Sequence, residues 1–287
     1  MRIAIIGSTG QLGSDLVKVL QEAGSYQVIP LSHAEIECTK PDSVRTALTR
    51  SCPQVVVNCA AFVRVDKCED KPEEAFLVNA LGALHVARSC TELNALCVYI
   101  STDYVFDGKK GEPYTEEDRP CPINVYGTSK LAGEYLASQA CPRWLIVRMA
   151  SLFGKMGARG KGGNFVETIL AKARAGEHLR VVNDIRMSPT YTYDAAQVLE
   201  GLIRQEATGI FHVTNSGSCT WYEFARKVVD LVGIETTLES AASSEYPTRA
   251  SRPKNSSLIS ARLLGSALRS WEEALRDYLI EKAYIPL

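Results

Sequence analysis

Short runs of branched apolar residues punctuate the first half of the chain, at residues 3–6, 27–31, 55–58, 97–100 and 145–147. These runs are continuous rather than alternating, the pattern of strands covered on both faces. Between them the apolar positions change to helical spacing. Leu12, Leu16, Val19 and Leu20 mark a helix over 11–23, and Ala75, Val78, Leu81, Leu84 and Ala87 mark one over 72–93. A third is expected over 130–139. Strand–helix alternation of this kind predicts a parallel sheet with helices on both faces. Past residue 150 the rhythm changes. Residues 154–163 (GKMGARGKGG) are rich in glycine and basic side chains and read as a loop. That loop is either a solvated excursion or a mobile basic lid over an anionic ligand. A helix over 165–175, a strand over 179–182, a helix over 193–204, a strand over 210–213, a helix over 221–231 and a final helix over 270–282 follow. The sparser strands predict a smaller domain packed against the first, with no internal repeat and no low-complexity tract.

Composition narrows the partners. The chain has 287 residues, 46 % of them hydrophobic and 23 % charged, with a formal charge of −1. That excludes a disordered tail or a disulfide-stapled miniprotein. Near-neutrality gives no reason to expect a nucleic acid or an anionic membrane as partner. Nine cysteines, Cys38, Cys52, Cys59, Cys68, Cys90, Cys97, Cys121, Cys141 and Cys219, lack the spacing of a zinc site or a redox dithiol. They read as free thiols in a reducing compartment. No apolar run approaches the ~20 residues of a membrane helix. Residues 3–6 are too short for a signal-peptide core. A soluble, cytoplasmic protein is expected.

The first strand runs into Gly7-Ser8-Thr9-Gly10-Gln11-Leu12-Gly13. Glycines permit a tight turn and close approach of backbone to a diphosphate, and the helix that follows presents free N–H groups and a positive dipole end. A strand–turn–helix context makes this a dinucleotide site. Spacing of three between glycines is similar to that of short-chain dehydrogenases/reductases. The second strand ends in Leu31-Ser32-His33, with no acidic residue to grip a ribose 2′-hydroxyl and repel a 2′-phosphate. NADPH is therefore expected over NADH, which stays possible.

Tyr126-Gly127-Thr128-Ser129-Lys130 places a phenol and an ammonium at i and i+4, on one helical face. A phenol titrating near about 10 is a poor proton donor–acceptor at neutral pH, and a nearby ammonium is expected to lower it. The fourth strand ends in Ser101-Thr102-Asp103-Tyr104, where ligands bind in open α/β sheets. Thr102, Tyr126 and Lys130 thus form a candidate hydride-transfer triad. Small residues in Asn58-Cys59-Ala60-Ala61 let a cofactor lie close to the backbone. Asn79 could order water or backbone near the site, or be a surface amide.

With these motifs in place, the chain resembles the dTDP-4-dehydrorhamnose reductase family along nearly its whole length. The most specific stretches are Ser101-Thr102-Asp103-Tyr104-Val105-Phe106 and Arg252-Pro253-Lys254-Asn255-Ser256. The resemblance implies a Rossmann-type doubly wound parallel sheet, a dinucleotide-binding domain over 1–150 and a smaller α/β substrate domain over 151–287, with some segments returning to the sheet. It implies reduction of the 4-keto group of dTDP-6-deoxy-L-lyxo-4-hexulose to dTDP-L-rhamnose. Tyr126 then donates the proton, Lys130 holds the ribose and tunes Tyr126, and Thr102 polarises the carbonyl. It assigns Gly7, Thr9, Gly10, Gln11, Leu12, Gly13, Ala60, Ala61, Phe62 and Val63 to the cofactor, with Glu37 and Cys38 at the adenine. Asp103, Tyr104, Ser151, Asn164 and Arg252 fall to the nucleotide-sugar substrate. Arg252 and Lys254 either close over its diphosphate or lie in a solvated loop. A homodimer is possible.

Two departures and two alternatives accompany the resemblance. The family often carries a tryptophan where Ser151 stands here, so a stacking platform for the sugar is missing. Some members bind magnesium through interface carboxylates. Asp15 matches one ligand, but Tyr193, beside Asp194, stands where another carboxylate is needed, and no metal is expected. A 4,6-dehydratase would follow Thr102 with two carboxylates, and this chain has Asp103-Tyr104. Another nucleotide-sugar reductase or epimerase stays open. So does a non-catalytic subunit resembling the β subunit of methionine adenosyltransferase, against which the complete triad argues.

Overall fold

The computed structural model describes residues 1–156, 163–263 and 268–286. Its first half alternates strand and helix as the apolar pattern predicts. The order is β1 (Arg2–Ile6), α1 (Gln11–Glu22), β2 (Gln27–Leu31), α2 (Pro41–Ser51), β3 (Val55–Asn58), α3 (Val65–Asp70) and α4 (Pro72–Phe76). From α4 the chain passes through one π turn, Leu77–Leu81, into α5 (Gly82–Glu92), then β4 (Leu96–Thr102), α6 (Val125–Ala140) and β5 (Trp144–Met149). The second half adds β6 (Leu152–Phe153), α7 (Phe165–Arg174), β7 (Leu179–Val182), β8 (Arg186–Met187), β9 (Thr190–Tyr191) and α8 (Thr192–Arg204). It closes with β10 (Gly209–His212), β11 (Cys219–Thr220), α9 (Trp221–Val232), β12 (Leu238–Ala241) and α10 (Trp271–Glu281).

Six strands form one parallel sheet in the order β10-β5-β4-β3-β1-β2. Its two faces sort the strand residues by parity. Ile3, Ile5, Val55, Val57, Val98 and Val147 pack under α1 and α8, while Ala4, Ile6, Val56, Cys97, Tyr99 and Ile146 pack under α2, α5 and α6. Each fully buried aliphatic side chain contributes roughly 1.5–3 kcal/mol relative to exposure. This double cover explains why the strands read as unbroken apolar runs. The strand order reverses between β1 and β3, which opens a crevice at the carboxyl ends of β1, β3 and β4.

The second half builds a separate core from α7, β7, α9 and α10 around Phe153, Ile169, Phe224, Leu275 and Tyr278. It also returns to the sheet, because β10 pairs with β5 and α8 packs on α1. Two local readings shift. Helix α6 begins at Val125, five residues before the expected start, and α2 was not marked by the apolar pattern. Both have weak apolar stripes: α6 buries Gly127, Ser129 and Gly133, and α2 buries only Val44, Ala47 and Leu48. Residues 157–162 of the expected glycine-rich loop lie outside the described residues. The nine cysteines are free thiols. Among the described residues, no helix is long and apolar enough to cross a membrane.

Candidate active site

The glycine turn is built by backbone contacts that leave no room for side chains. Gly7 takes the left-handed conformation at φ 77° and donates to the Leu31 carbonyl at 2.9 Å, and Gly10 donates to the Gly7 carbonyl at 2.9 Å. A Cβ on Gly13 would overlap the Gly7 carbonyl, and one on Gly7 would come within 3.1 Å of the Ala60 nitrogen. Helix α1 therefore begins hard against the turn, with no acidic side chain in its first turn. Its unpaired N–H groups face the crevice. The Gln11 side-chain oxygen is buried here without a protein partner. This cradle fits a dinucleotide diphosphate.

The loop after β3 is pinned from below by Asn79, which is fully buried in the π turn. Its amide accepts from the Phe62 N–H at 2.8 Å and donates to the Phe62 carbonyl at 3.1 Å and to Ser129 Oγ at 2.9 Å. Asn79 is thus a backbone clamp between Ala60-Ala61-Phe62-Val63 and the helix that carries Tyr126. Single π turns often sit at such functional positions.

Asn124 caps α6 by accepting from the Gly127 N–H at 2.7 Å, which puts Tyr126 in the first turn. Gly127 has no Cβ, so this turn lies directly on the Tyr104 carbonyl. That approach brings Thr102, Tyr104 and Tyr126 together. The Thr102 hydroxyl lies close enough to the Tyr126 phenol to influence its titration, and the rings of Tyr104 and Tyr126 meet edge-on at 6.0 Å.

Lys130 lies one turn on, fully buried. Its Nζ donates to the Ile100 carbonyl at 2.6 Å and sits 4.0 Å from the Tyr99 ring centroid. Burial lowers its pKa to about 7, against the opposing pull of Glu134 and Cys59. In the structure the largest influence on Tyr126 is burial rather than this ammonium. Burial pushes the Tyr126 phenol well above its usual range, and what opposes it is Thr102. One of the three Lys130 N–H donors goes to strand β4.

Several expected substrate contacts have protein partners. The Asn164 side chain caps α7, accepting from Glu167 and donating to the Gly154 carbonyl at 3.1 Å and to the Tyr278 hydroxyl at 3.0 Å. It is a structural staple between the loop and α10, not an open contact. Arg252 grips Asp66 on α3 through Nη2 at 2.7 Å and also hydrogen-bonds Tyr104. Lys254 pairs with Asp184. Both cations already pair with a carboxylate. Asp103 does not line an open pocket: its oxygens accept from Thr102 and Ser256. Ser151 stands at the mouth of β6 with φ 44°, and its carbonyl accepts from the Thr190 N–H. Glu37 accepts from Thr39, and the Cys38 thiol is pushed up to about 12 by burial.

The residues that match a magnesium site do not fit a divalent cation. Asp15 is buried against the Thr192 hydroxyl, and burial raises its pKa. Both oxygens of Asp194 are taken by Arg269, and one also by Asn215. Tyr193 hydrogen-bonds Glu22.

One pair escaped the reading of the sequence. Arg148 at the end of β5 and Glu134 on α6 form a buried two-point ion pair, Nε to Oε1 at 2.9 Å and Nη2 to Oε2 at 2.7 Å, and Ser101 Oγ donates to the same carboxylate at 2.5 Å. It ties the catalytic helix to β4 and β5. A charge closing an apolar strand was the available signal.

The sequence profile of the RmlD substrate binding domain matches residues 1–284. The chain belongs to this family. Within it, the chain is 40 % identical over 285 residues to the spore coat polysaccharide biosynthesis protein SpsK of Bacillus subtilis, covering 98 % of each. A solved dTDP-4-dehydrorhamnose reductase of Clostridium acetobutylicum superposes with a TM-score of 0.94 at 37 % identity, over 99 % of this chain and 100 % of that one. The dTDP-4-dehydrorhamnose reductase of Bacillus anthracis, solved in complex with NADP, gives 0.92 at 35 %, over 98 % and 99 %. The family's fold is thus the doubly wound sheet with the crevice described above.

Proposed function

We propose that this member of the family is an NADPH-dependent reductase that converts dTDP-6-deoxy-L-lyxo-4-hexulose to dTDP-L-rhamnose. The observation that carries the reading is the convergence of Thr102, Tyr126 and Lys130 at the carboxyl end of β4, beside a turn that only glycines can form. That turn would hold NADPH, which would supply the hydride. Tyr126 gives its hydroxyl proton to the C4 carbonyl oxygen as charge develops there. A phenol raised by burial holds that proton firmly at neutral pH, so it acts as an acid toward the alkoxide rather than standing ionised. Thr102 adds a second hydrogen bond at the same oxygen. Lys130, fixed by Ile100 and Tyr99, would hold the ribose of the dinucleotide. Tyr104 and Ser151 border the sugar. The free thiols fit the reducing cytoplasm expected for such an enzyme.

The test is NADPH oxidation by purified protein with the dTDP-4-keto sugar. Tyr126→Phe should lose about 10²–10⁴ in kcat, the contribution of a positioned acid, with NADPH affinity retained. Absence of turnover in the wild type, or equal rates in the variant, would refute the assignment and favour a non-catalytic binding subunit.

A further inference from the structure

Asp103 is an unusual carboxylate. It is 4 % exposed and has no ion pair among the described residues. Ser256 Oγ donates to Oδ2 at 2.5 Å and Thr102 Oγ1 donates to Oδ1 at 3.0 Å. Ser256 and Thr102 are themselves buried, at 2 % and 6 % exposure. A carboxylate carried so deep without a cation favours its neutral form. The other charged or titratable groups nearby do not supply one. Tyr104 and Tyr126 are neutral phenols, and the Arg252 guanidinium beyond Tyr104 is committed to Asp66. Lys130 faces Ile100, and Lys254 is paired with Asp184.

The consequence lies in the single proton of Thr102. An ionised carboxylate only accepts, so Thr102 must then spend its proton on Asp103 and can offer Tyr126 and a carbonyl oxygen nothing but lone pairs. A protonated Asp103 donates to Thr102 Oγ1 and frees the Thr102 proton to point into the crevice. We propose that Asp103 is a positioning residue whose protonation sets the donor direction of the Ser256–Asp103–Thr102 chain, with ketone reduction running through the protonated form. Asp103 exchanges no proton with the substrate; it only decides where the Thr102 hydrogen bond goes. Burial raises Asp103 to about 6, which places this change between acid and neutral pH. The inference rests on the reductase reading.

The experiment follows kcat for reduction of the dTDP-4-keto sugar against pH, in the wild type, Ser256→Ala, Ser256→Thr and Asp103→Asn. Wild-type kcat should fall as pH rises through about 6. Removing the Ser256 donor destabilises the ionised form, so Ser256→Ala should move the inflection up by about one pH unit, and Ser256→Thr should restore it. Asp103→Asn should remove the inflection near 6 and leave only the fall near 7 that Lys130 sets. A Ser256→Ala inflection within about 0.3 unit of wild type, or a fall near 6 that survives in Asp103→Asn, overturns the proposal. A second readout needs no turnover: carbon-13 NMR of the Asp103 carboxyl in the NADPH-bound protein. Titration near the ordinary value of about 4 overturns the proposal even if the enzyme turns over. Titration near 6, moving up in Ser256→Ala, supports it even if a different ketone proves to be the substrate.

Discussion

Glu134→Gln tests whether the buried pair behind the site holds the catalytic helix. The substitution keeps shape and removes charge. Arg148 is left 2 % exposed with its cation uncompensated, and its Nη1 already lacks a partner. Removing one member of such a pair costs about 3–5 kcal/mol, because the remaining charge stays desolvated. For a chain of this size each kcal/mol lowers Tm by about 2–4 °C, so a fall of roughly 6–20 °C is expected. Urea titration followed by circular dichroism measures the same quantity. The double variant Glu134→Leu with Arg148→Met removes both charges and should recover to within about 1 kcal/mol of wild type. Function reports independently. The Glu134 carboxylate supports the Lys130 ammonium, whose pKa burial has lowered to about 7. Without it that pKa falls further, so activity that needs the cation should begin to fade at lower pH. A single variant costing under about 1 kcal/mol, or a double variant no more stable than the single, would refute the account.

Other outcomes follow from the same geometry. Gly13→Ala drives a Cβ into the Gly7 carbonyl, so NADPH affinity should fall more than about tenfold, a loss of ~1.4 kcal/mol, while far-ultraviolet dichroism is kept. Unchanged affinity would show that the turn tolerates a side chain. Asn79→Ala strands the Phe62 N–H and leaves its carbonyl with only the Cys68 thiol, so it should cost about 1–3 kcal/mol in denaturant titration, with weaker NADPH binding. Full stability would mean that water replaces the amide. Asp66 is held below the usual carboxylate range by Arg252, so its pair stabilises above the unfolded value and is lost as pH falls through the folded one. Because the pair is partly exposed, Asp66→Asn should cost under about 1 kcal/mol at pH 7, and the difference should vanish as pH falls through the lowered folded value. A difference that persists in acid would point to packing instead.

What could be read from the chain alone was whatever local chemistry sets. The run at 55–58 is β3 to the residue, because a strand buried on both faces must be apolar throughout, and the run at 27–31 is β2, an edge strand that is only partly covered. The glycine turn and the Tyr126–Lys130 spacing are likewise local, since backbone sterics and the helical repeat act over a few residues. The start of α6 was hidden because its buried face is Gly127, Ser129 and Gly133, chosen for close approach rather than for burial of apolar area. The fates of the polar residues needed the fold. Asn164, Arg252 and Asp103 have the chemistry of ligand-binding groups, but Tyr278, Asp66 and Ser256 lie 114, 186 and 153 residues away along the chain and reach them first. Glu134 and Arg148 lie close in sequence, but only the packing of α6 on β4 and β5 aligns them and removes water. Sequence determined which elements and which reactive groups exist. Tertiary structure decided which groups are free, because a hydrogen bond or charge is spent on whatever folding brings within reach, and burial makes that choice expensive to reverse.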